Sequence, residues 1–510
     1  MRTNLRSNGA KNQTRVRRSV SHAIRGPKTV NVKRTGITLT SNKSRVLIRP
    51  FRINNDQRAK NICARVMSLS EAEVRSLLGQ VLAEFSERHQ QIRDLLKARS
   101  EQMQRYLLTN HRISEDRKLL IGAYFTHEYA LEAAALFNPS IVPHPDQSDL
   151  PAGALRVILS LRATGEGHIS SVTFRTGVVD AQNQITINPP TRYLTEPRQI
   201  PNASYEKALF GRKLYEMRLT SQFSRRVLDE LKESFTLDEL RRKIDSVSKQ
   251  FRPNDPECDS IARGMLLFAQ SNYEVQFAPT TRVSERVIFP TSPSQSNGIE
   301  DARFVRFRND DGTLVYYATY TAYDGKLIIP QLLETPDFLY FKFLTLNGPA
   351  VQNKGMALFP RKVNGRYAML SRQDNENIYL MFSDNIHFWY DPEMILKPTY
   401  PWEYVQLGNC GSPIETEAGW LVLSHGVGPM RKYCIGAFLL DLEDPTKVLG
   451  RLPEPLLKPS EDEREGYVPN VVYSCGALLH GRELILPYAM SDSATNFATV
   501  SLDELLAAME

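Results

Sequence analysis

The sequence predicts a β-rich body that follows a helical region, and three observations support this fold class. Short segments of alternating apolar and polar residues recur after residue 155, separated by Gly, Asp, Asn and Pro turn signals. Before them, apolar side chains recur at helical spacing. The first 55 residues contain fourteen Lys or Arg and no Asp or Glu. We therefore divide the chain into a basic tail (1–42), a mainly helical region (43–150) and an all-β domain (151–510) with a helical insertion near 225–270.

The basic tail lacks hydrophobic periodicity, so we expect it to be disordered. Its acid-free, arginine-rich start also resembles an organelle transit peptide. The chain has a net charge of +7, and subtracting the fourteen cations of residues 1–55 leaves −7 for residues 56–510. The body is therefore mildly acidic, which argues against a nucleic-acid partner.

Three amphipathic helices are predicted in the region 68–138. The first follows a capped start at 70–73, the second covers 92–108, and the third runs from about 114 to 137 and ends at Asn138-Pro139. A further helical stretch at 228–251 indicates an insertion into the β domain. Amphipathic helices need a surface that covers their apolar stripes. We expect the helices at 68–138 to pack on the side of the β domain or to form the subunit interface of a homo-oligomer.

The β domain is predicted from eight short strands, at 156–161, 169–174, 315–323, 366–370, 378–382, 420–423, 435–440 and 483–488. Several of them are closely followed by a polar or ionisable residue, such as Arg372, His425 or Asp492. Regularly spaced strands of this kind favour a closed all-β array, either a propeller or a sandwich. No clean 40-residue repeat allows blades to be counted.

Composition excludes several classes of protein. No apolar run approaches the roughly 18 residues of a membrane helix, so we expect no membrane span. The five cysteines never form a C-x-x-C pair, which argues against a disulfide framework or a zinc site and indicates a reducing, cytoplasmic location. We expect no metal site and no cofactor.

An acidic turn at 296–303 is the feature around which the chain is organised. Gly298 permits a sharp turn, and Glu300 and Asp301 lie next to each other before a β-rich run. Arg303 is two residues away from Asp301. We expect it to hold one of the two carboxylates while the other faces a ligand.

Cationic residues recur further along the chain, at Lys354, Arg361, Arg372 and His425. If these side chains share a pocket, an anion is needed to offset their repulsion, and phosphate is the natural candidate. Trp402 is either a platform that stacks on a sugar or a core residue.

An ordered set of short motifs carries a family resemblance. The motifs lie at 298–303, 353–360, 371–372, 402–403, 419–420, 424–427, 439–441, 466–472 and 474–476. In this order the set resembles glycoside hydrolase family 130, the mannoside phosphorylases and related β-mannosidases, over roughly residues 290–505. The resemblance implies a five-bladed β-propeller catalytic domain with its active site at the axial mouth.

The resemblance also implies roles for individual residues. Asp301 matches the catalytic acid, acting through a sugar hydroxyl, and Arg303 would hold its turn. The phosphate-binding positions correspond to Lys354, Arg372, His425 and Tyr433. Asp492 matches an acid that binds the terminal mannose, with Arg303, Asn353 and Trp402 as further substrate contacts. Two departures are Ala302, where proline is usual, and Gly355, where many phosphorylases have an acid.

The expected function is inverting phosphorolysis of β-mannosides, with inorganic phosphate as co-substrate and α-mannose 1-phosphate as product. Phosphorolysis needs an acid and cations, whereas inverting hydrolysis needs a second carboxylate about 6.5–9.5 Å from the first. The alternatives are a β-mannosidase, with Glu415, Glu417, Glu463 or Glu465 as base, and a non-catalytic propeller that binds carbohydrate.

Overall fold

The computed structural model describes residues 30–107, 109, 112–201, 204–251, 255–326 and 328–509. The described chain begins with two strands, continues with a helical unit of four helices and returns to a strand. Its elements are β1 (Val32–Leu39), β2 (Val46–Pro50), α1 (Asp56–Met67), α2 (Glu71–Phe85), α3 (Ile92–Met103), α4 (Glu115–Tyr124) and β3 (Thr126–Ala130). Strand β3 pairs antiparallel with β2, so the four helices α1 to α4 lie in the connection between two paired strands.

The helical unit forms because its apolar faces meet in a core of their own. Helix α2 starts at a capping box in which Ser70 and Glu73 satisfy each other's backbone N–H groups. Val74 of α2 is buried with Leu120 and Ile121 of α4. The first two predicted helices are confirmed, with the second ending earlier, at Met103.

Strands and the helical insertion follow in the next part of the chain. They are β4 (Ala135–Pro143), β5 (Leu155–Thr164), β6 (Ser170–Val179), β7 (Ile185–Ile187), β8 (Arg198–Gln199), β9 (Ser204–Glu206), α5 (Lys207–Glu216), α6 (Gln222–Asp229), β10 (Ser234–Thr236), α7 (Leu237–Ser248), α8 (Pro256–Gln270), β11 (Tyr273–Gln276) and β12 (Val287–Ile288). The insertion packs around its own aromatic core, which includes Phe210, Phe235 and Phe268. The predicted helical insertion is therefore present, and it starts earlier than 225, at Lys207.

The remaining chain is almost entirely strand. Its elements are β13 (Gly298–Arg308), β14 (Leu314–Tyr323), β15 (Ile328–Thr335), β16 (Tyr340–Thr345), β17 (Ala357–Leu358), β18 (Tyr367–Ser371), β19 (Ile378–Ser383), β20 (Pro392–Leu396), β21 (Gln406–Asn409), β22 (Ile414–Thr416), β23 (Gly419–Val427), β24 (Tyr433–Leu440), β25 (Val448–Arg451), β26 (Val472–Tyr473), β27 (Leu478–His480), β28 (Glu483–Met490), β29 (Ala494–Ser501) and α9 (Leu502–Ala507). All eight predicted strands are confirmed, and so is the β-rich character of the body.

The strands form antiparallel groups that follow one another along the chain. The groups are β4–β5–β6, β13 to β16, β17 to β20, β21–β23–β24–β25 and β26–β28–β29–β1. The first two are joined by a single parallel bridge between Gly298 and Ser170. The last group takes its outer strand from the N-terminal end of the chain, since β1 pairs with β29. Apolar clusters fill the spaces between successive groups.

Two expectations about the N-terminal half are wrong in part. The tail was expected to be disordered to residue 42, but Val32–Leu39 is a strand, because its backbone completes a sheet edge and needs no strong apolar pattern. Residues 1–29 of that tail lie outside the described residues. The third helix ends at Tyr124 instead of reaching 137, because the chain beyond it forms strand β3 and then strand β4, which is buried along its whole length.

No helix of the described residues is both long and apolar enough to cross a membrane.

Candidate active site

Asp301 lies at a β-bulge. Glu300 pairs with Thr321 and Arg303 with Thr319, so Asp301 and Ala302 together oppose one residue of β14. The backbone of Asp301 has a φ of +53°, in the left-handed region that few non-glycine residues adopt. A bulge bends its strand and redirects a side chain out of the regular alternation. The bulge therefore sets the direction of the Asp301 carboxylate, whose side chain is 10% exposed.

A second bulge provides a partner for this carboxylate. In β4, Asn138 and Pro139 lie between the paired residues Phe137 and Ser140, and Asn138 has a φ of +48°. The Asn138 Nδ2 donates a hydrogen bond of 2.7 Å to Oδ1 of Asp301. Two bulges on different sheet groups thus meet through one buried hydrogen bond.

Arg162 of β5 binds both acidic residues of the turn. One of its terminal nitrogens lies 2.6 Å from Oε1 of Glu300 and the other lies 3.3 Å from Oδ1 of Asp301. Its Nε donates to Ser170 Oγ at 2.8 Å, and its guanidinium lies over the Phe137 ring, 5.0 Å from the centroid. The expectation that Arg303 would hold one of these carboxylates is therefore wrong, because Arg162 occupies that position.

Arg303 lies beneath the turn and is fully engaged by the protein. It donates to the backbone oxygen of Asp301 at 3.1 Å, to the backbone oxygen of Cys410 at 2.6 Å and to the Tyr473 hydroxyl at 2.7 Å. The side chain is 2% exposed. Arg303 thus holds the backbone of the turn, as the resemblance implied, but it is not placed to touch a substrate.

The charges around Asp301 determine its protonation. Burial raises the pKa of the Asp301 carboxyl, but the charges of Arg162, Lys354 and Arg303 and the hydrogen bond from Asn138 lower it more. The net result is a pKa well below the usual range for an aspartic acid. Asp301 is therefore ionised at neutral pH when the site holds no ligand.

Asp492 lies at the turn between β28 and β29 and shows the opposite behaviour. Burial and the negative charge of Asp301 raise its pKa to about 6, against the smaller lowering effect of Arg162. The backbone of Asp492 is also left-handed, with a φ of +50°. The structure therefore brings Asp492 into electrostatic contact with Asp301, on a tight turn.

The predicted cations Lys354 and Arg372 come together on the loop before β17 and the end of β18. Arg372 donates from Nε to the backbone oxygen of Lys354 at 3.1 Å. Gly355 has a φ of +94°, and a Cβ at this position would lie 2.6 Å from the Arg372 Nε. Gly355 thus allows the guanidinium to lie against the loop, a physical reason for the glycine where many phosphorylases have an acid. Arg361, in contrast, binds Glu415 at the surface.

His425 of β23 completes this group as a neutral acceptor. Its Nε2 lies 3.1 Å from a terminal nitrogen of Arg372, which can only donate. Burial and the charges of Arg372 and Arg303 hold the pKa of His425 well below its usual value. Its ring is stacked with Tyr433 at a centroid distance of 6.0 Å and meets the Tyr473 ring edge-on at 4.9 Å. Tyr433 therefore adjoins the cationic group.

Asn353 belongs to the same loop, whereas Trp402 does not join the site. Asn353 donates from Nδ2 to the backbone oxygen of Arg372 at 3.4 Å. The indole N–H of Trp402 donates to the backbone oxygen of Pro453 at 3.0 Å, and its ring lies against Gly426. Neighbours in a strand face opposite sides, so Trp402 packs on the face opposite to His425. Its expected substrate contact is therefore not supported, because packing occupies its ring and N–H.

Three of the four glutamates considered as hydrolytic bases are bound elsewhere. Glu415 pairs with Arg361, Glu417 pairs with Arg482 at the surface, and Glu463 is buried against Arg34 and the Tyr488 hydroxyl. Glu465 is exposed.

Sequence reasoning missed Asn138, Arg162 and Tyr473. Asn138 precedes a proline, a turn signal that was interpreted as the end of a helix. Arg162 interrupts an apolar strand just before its end, and such a charge is a recognisable signal of a buried partner. Tyr473 carries no comparable local signal, because its role depends on how β26 meets Arg303.

Comparison with known proteins gives consistent matches. The family model described as β-1,4-mannooligosaccharide phosphorylase matches residues 257–510. A 1,2-β-oligomannan phosphorylase from Thermoanaerobacter sp. is 35% identical over 232 residues, which are 44% of this chain and 75% of that protein. A β-1,2-mannobiose phosphorylase from Listeria innocua is 33% identical over 231 residues, 44% of this chain and 63% of that protein. A β-1,4-mannooligosaccharide phosphorylase from Ruminococcus albus is 32% identical over 167 residues, 30% of this chain and 50% of that protein.

Proposed function

We propose that this chain, which belongs to glycoside hydrolase family 130, is an inverting phosphorylase of β-mannosides. In the proposed reaction an oxygen of inorganic phosphate forms a bond to C1 of the terminal mannose. The bond from C1 to the leaving sugar breaks, and its electron pair stays on the leaving oxygen. The products are α-mannose 1-phosphate and a shortened acceptor. The relatives named as mannoside phosphorylases support this reaction class.

The observation that carries the proposal is the pair Lys354 and Arg372. Within the part of the chain that the structure describes, neither side chain forms an ion pair with a carboxylate, although both belong to the loop and strand end beside Asp301. Lys354 lies within electrostatic reach of Asp301 but, among the described residues, forms no ion pair with it, and cations placed close together repel each other unless an anion binds them. A phosphate ion would satisfy both through charge-assisted hydrogen bonds, with Tyr433 and His425 beside it.

Phosphate binding also explains how an ionised Asp301 becomes an acid. The charge of Lys354 helps to hold the pKa of Asp301 low. A bound phosphate ion would offset that charge, so the pKa of Asp301 would rise when both substrates are in place. Asp301 would then deliver its proton through a mannose hydroxyl to the leaving oxygen. Without phosphate the Asp301 carboxylate stays ionised, and with both substrates bound Asp301 can carry and donate a proton.

The remaining residues fit roles in substrate binding. Asp492 lies on a tight turn, within electrostatic reach of Asp301, and we assign to it the hydroxyl groups of the terminal mannose. Asn138 and Arg162 fix the direction of the catalytic carboxylate. We further infer that the five antiparallel groups are the five blades of a propeller, because each follows the last along the chain and β1 closes the final one. The proposal requires no cofactor.

The substrate is best sought among β-1,2- and β-1,4-linked manno-oligosaccharides. Two of the relatives described above are named for β-1,2 linkages and one for β-1,4 linkages. We propose the β-1,2-linked disaccharide as the first substrate to test, since those two relatives match a longer segment of this chain.

A β-mannosidase is the second candidate, and one observation favours it. Asp301 and Asp492 have pKa values displaced in opposite directions, a pattern found in acid–base pairs. In that case Asp492 would serve as the base that activates water. The engagement of Glu415, Glu417 and Glu463 in ion pairs weighs against the bases first considered.

Turnover with and without phosphate separates the two candidates. β-1,2- and β-1,4-mannobiose are incubated with the protein in phosphate-free buffer and in the same buffer with added phosphate. The phosphorylase proposal predicts cleavage of one disaccharide only when phosphate is present. Equal cleavage in both buffers would refute it in favour of the hydrolase, and binding without cleavage would support a carbohydrate-binding protein.

A further inference from the structure

The helical insertion contacts the loop that carries Asn353 and Lys354. This loop, residues 346–356, connects β16 to β17 and is called the cationic loop below. The last residue of α5, Glu216, accepts a hydrogen bond of 2.8 Å from the backbone N–H of Gly348. Lys213, one turn earlier, donates to the backbone oxygen of Leu346 at 3.1 Å and to Glu216 at 3.2 Å. One half-buried ion pair on α5 therefore binds the start of the cationic loop through both a donor and an acceptor.

The opposite side of the same loop is fixed by Trp389. The backbone N–H of Trp389 donates to the oxygen of Asn347 at 2.9 Å, and its oxygen accepts from Ala350 at 3.2 Å. Gly348 has a φ of +103°, and a Cβ there would lie 2.0 Å from the Trp389 oxygen. Only glycine fits this position. Gly348 is thus confined between Glu216 on one side and Trp389 on the other.

A short series of hydrogen bonds continues from this point to the cations. The Ala350 oxygen accepts from Nε2 of Gln373, the neighbour of Arg372, at 3.0 Å. Asn353 donates to the Arg372 oxygen, and Arg372 donates to the Lys354 oxygen. The position of Gly348 is therefore tied to the relative placement of Lys354 and Arg372 through contacts of 3.4 Å or less.

We propose that the helical insertion positions the phosphate site, and that Lys213 and Glu216 are the positioning residues through which it acts. This inference rests on the proposed function, because it takes the cationic loop to bind phosphate. Neither Lys213 nor Glu216 is one of the residues proposed to touch phosphate or mannoside, so each acts through the backbone of residues 346–348. The insertion thereby adjusts the requirement for phosphate, and leaves unaffected Asp492, which is assigned to the mannose, and Arg162, which holds the Asp301 carboxylate.

The substitution Glu216→Ala tests the proposal through kinetics. The substitution removes the acceptor of the Gly348 N–H, and small displacements remote from the chemistry can cost up to about 100-fold. We expect the KM for phosphate to rise about tenfold and the KM for the mannoside to stay within about twofold. Glu216→Gln keeps an oxygen acceptor, so it should restore most of the phosphate affinity.

A matched control lies in the same insertion. Glu230 follows α6 and pairs with Arg226 and Lys243, and among the described residues it has no hydrogen bond to the cationic loop. Glu230→Ala should therefore leave both KM values unchanged. A general loss of stability in Glu216→Ala would change both KM values and the unfolding temperature together, whereas a positioning role changes the phosphate KM alone.

Amide hydrogen exchange gives a readout that does not depend on the reaction. In Glu216→Ala, the peptide that covers residues 346–352 should exchange at least about tenfold faster than in the wild type, and in Glu230→Ala it should not. Unchanged exchange would overturn the inference whatever the reaction is. A phosphate-dependent wild type with the same phosphate KM in Glu216→Ala would overturn the inference alone. A wild-type rate that ignores phosphate would overturn the proposed function, and the phosphate role of the insertion with it.

Discussion

Removal of the Arg372 side chain should act chiefly on phosphate binding, and therefore on the KM for phosphate. In Arg372→Ala the guanidinium that donates to the Lys354 oxygen and to His425 is lost, and with it the donors available to phosphate. A charge-assisted hydrogen bond contributes roughly 1.5–3 kcal/mol. At about 1.4 kcal/mol per factor of ten, the KM for phosphate should rise roughly 10- to 150-fold.

The assay measures initial rates over a range of phosphate concentrations at saturating mannoside. Arg366→Ala is the matched control, because Arg366 precedes the strand that ends before Arg372, and its exposed side chain pairs with Asp384 at 3.7 Å and lies over the Phe382 ring. Arg372→Lys keeps the charge without the planar fork, so its KM should fall between those of the wild type and the alanine variant. An unchanged phosphate KM in Arg372→Ala would refute the assignment of a phosphate site.

Three further predictions concern the acid, the neighbouring carboxyl and the N-terminal strand. Asp301→Asn should lower kcat by about 10²- to 10⁴-fold with an unchanged unfolding temperature in a thermal scan, because the amide cannot deliver a proton. Asp492 has a raised pKa of about 6, so its ionisation destabilises the folded state as pH rises from about 4 to 6. Asp492→Asn should therefore raise the unfolding temperature at pH 8 and not at pH 4. A chain that starts at residue 43 should lose about 1–3 kcal/mol in denaturant unfolding relative to one that starts at residue 30, because the buried Glu463 carboxylate loses its hydrogen bonds from Arg34. Equal stability at pH 8 for Asp492→Asn, equal kcat for Asp301→Asn or equal stability of the two chains would each contradict the corresponding reasoning.

Much of the β-rich body was predictable, because apolar and polar residues alternate along many of its strands and this alternation is visible in the sequence. Each of the eight predicted strands overlaps an observed one, and those at 169–174 and 366–370 begin one residue before it. Where a strand is buried on both faces, the alternation disappears. Strand β4 is such a case, and its first three residues, Ala135–Phe137, were interpreted as the end of a helix.

The candidate site was predictable in its charges and not in its geometry. Lys354, Arg372, His425 and Asp301 were identified because charged residues and motifs are visible in sequence. The hydrogen bond between Asn138 and Asp301 joins residues 163 positions apart, and each depends on a bulge that sequence does not reveal. Arg303 was given the wrong contacts for the same reason. Its distance in sequence from Asp301 is short, but the bulge turns the two side chains apart.

Trp402 and strand β1 show two other limits. A tryptophan near glycines has the same sequence signal whether it stacks on a sugar or packs on a strand, and the glycines around Trp402 prove to be its packing surface. Strand β1 is held by backbone pairing with β29 and by the ion pair of Arg34 with Glu463. Neither contact requires apolar residues at alternating positions, so this cation-rich segment shows no strand pattern in its sequence.

The identity of the sugar product tests the central claim most directly. The protein is incubated with β-1,2- or β-1,4-mannobiose and phosphate, and the reaction is followed by ¹H and ³¹P NMR. Our account predicts that α-mannose 1-phosphate appears in step with free mannose, one molecule of each per disaccharide, while inorganic phosphate falls by the same amount. Formation of two mannose molecules per disaccharide, with inorganic phosphate unchanged, would contradict it.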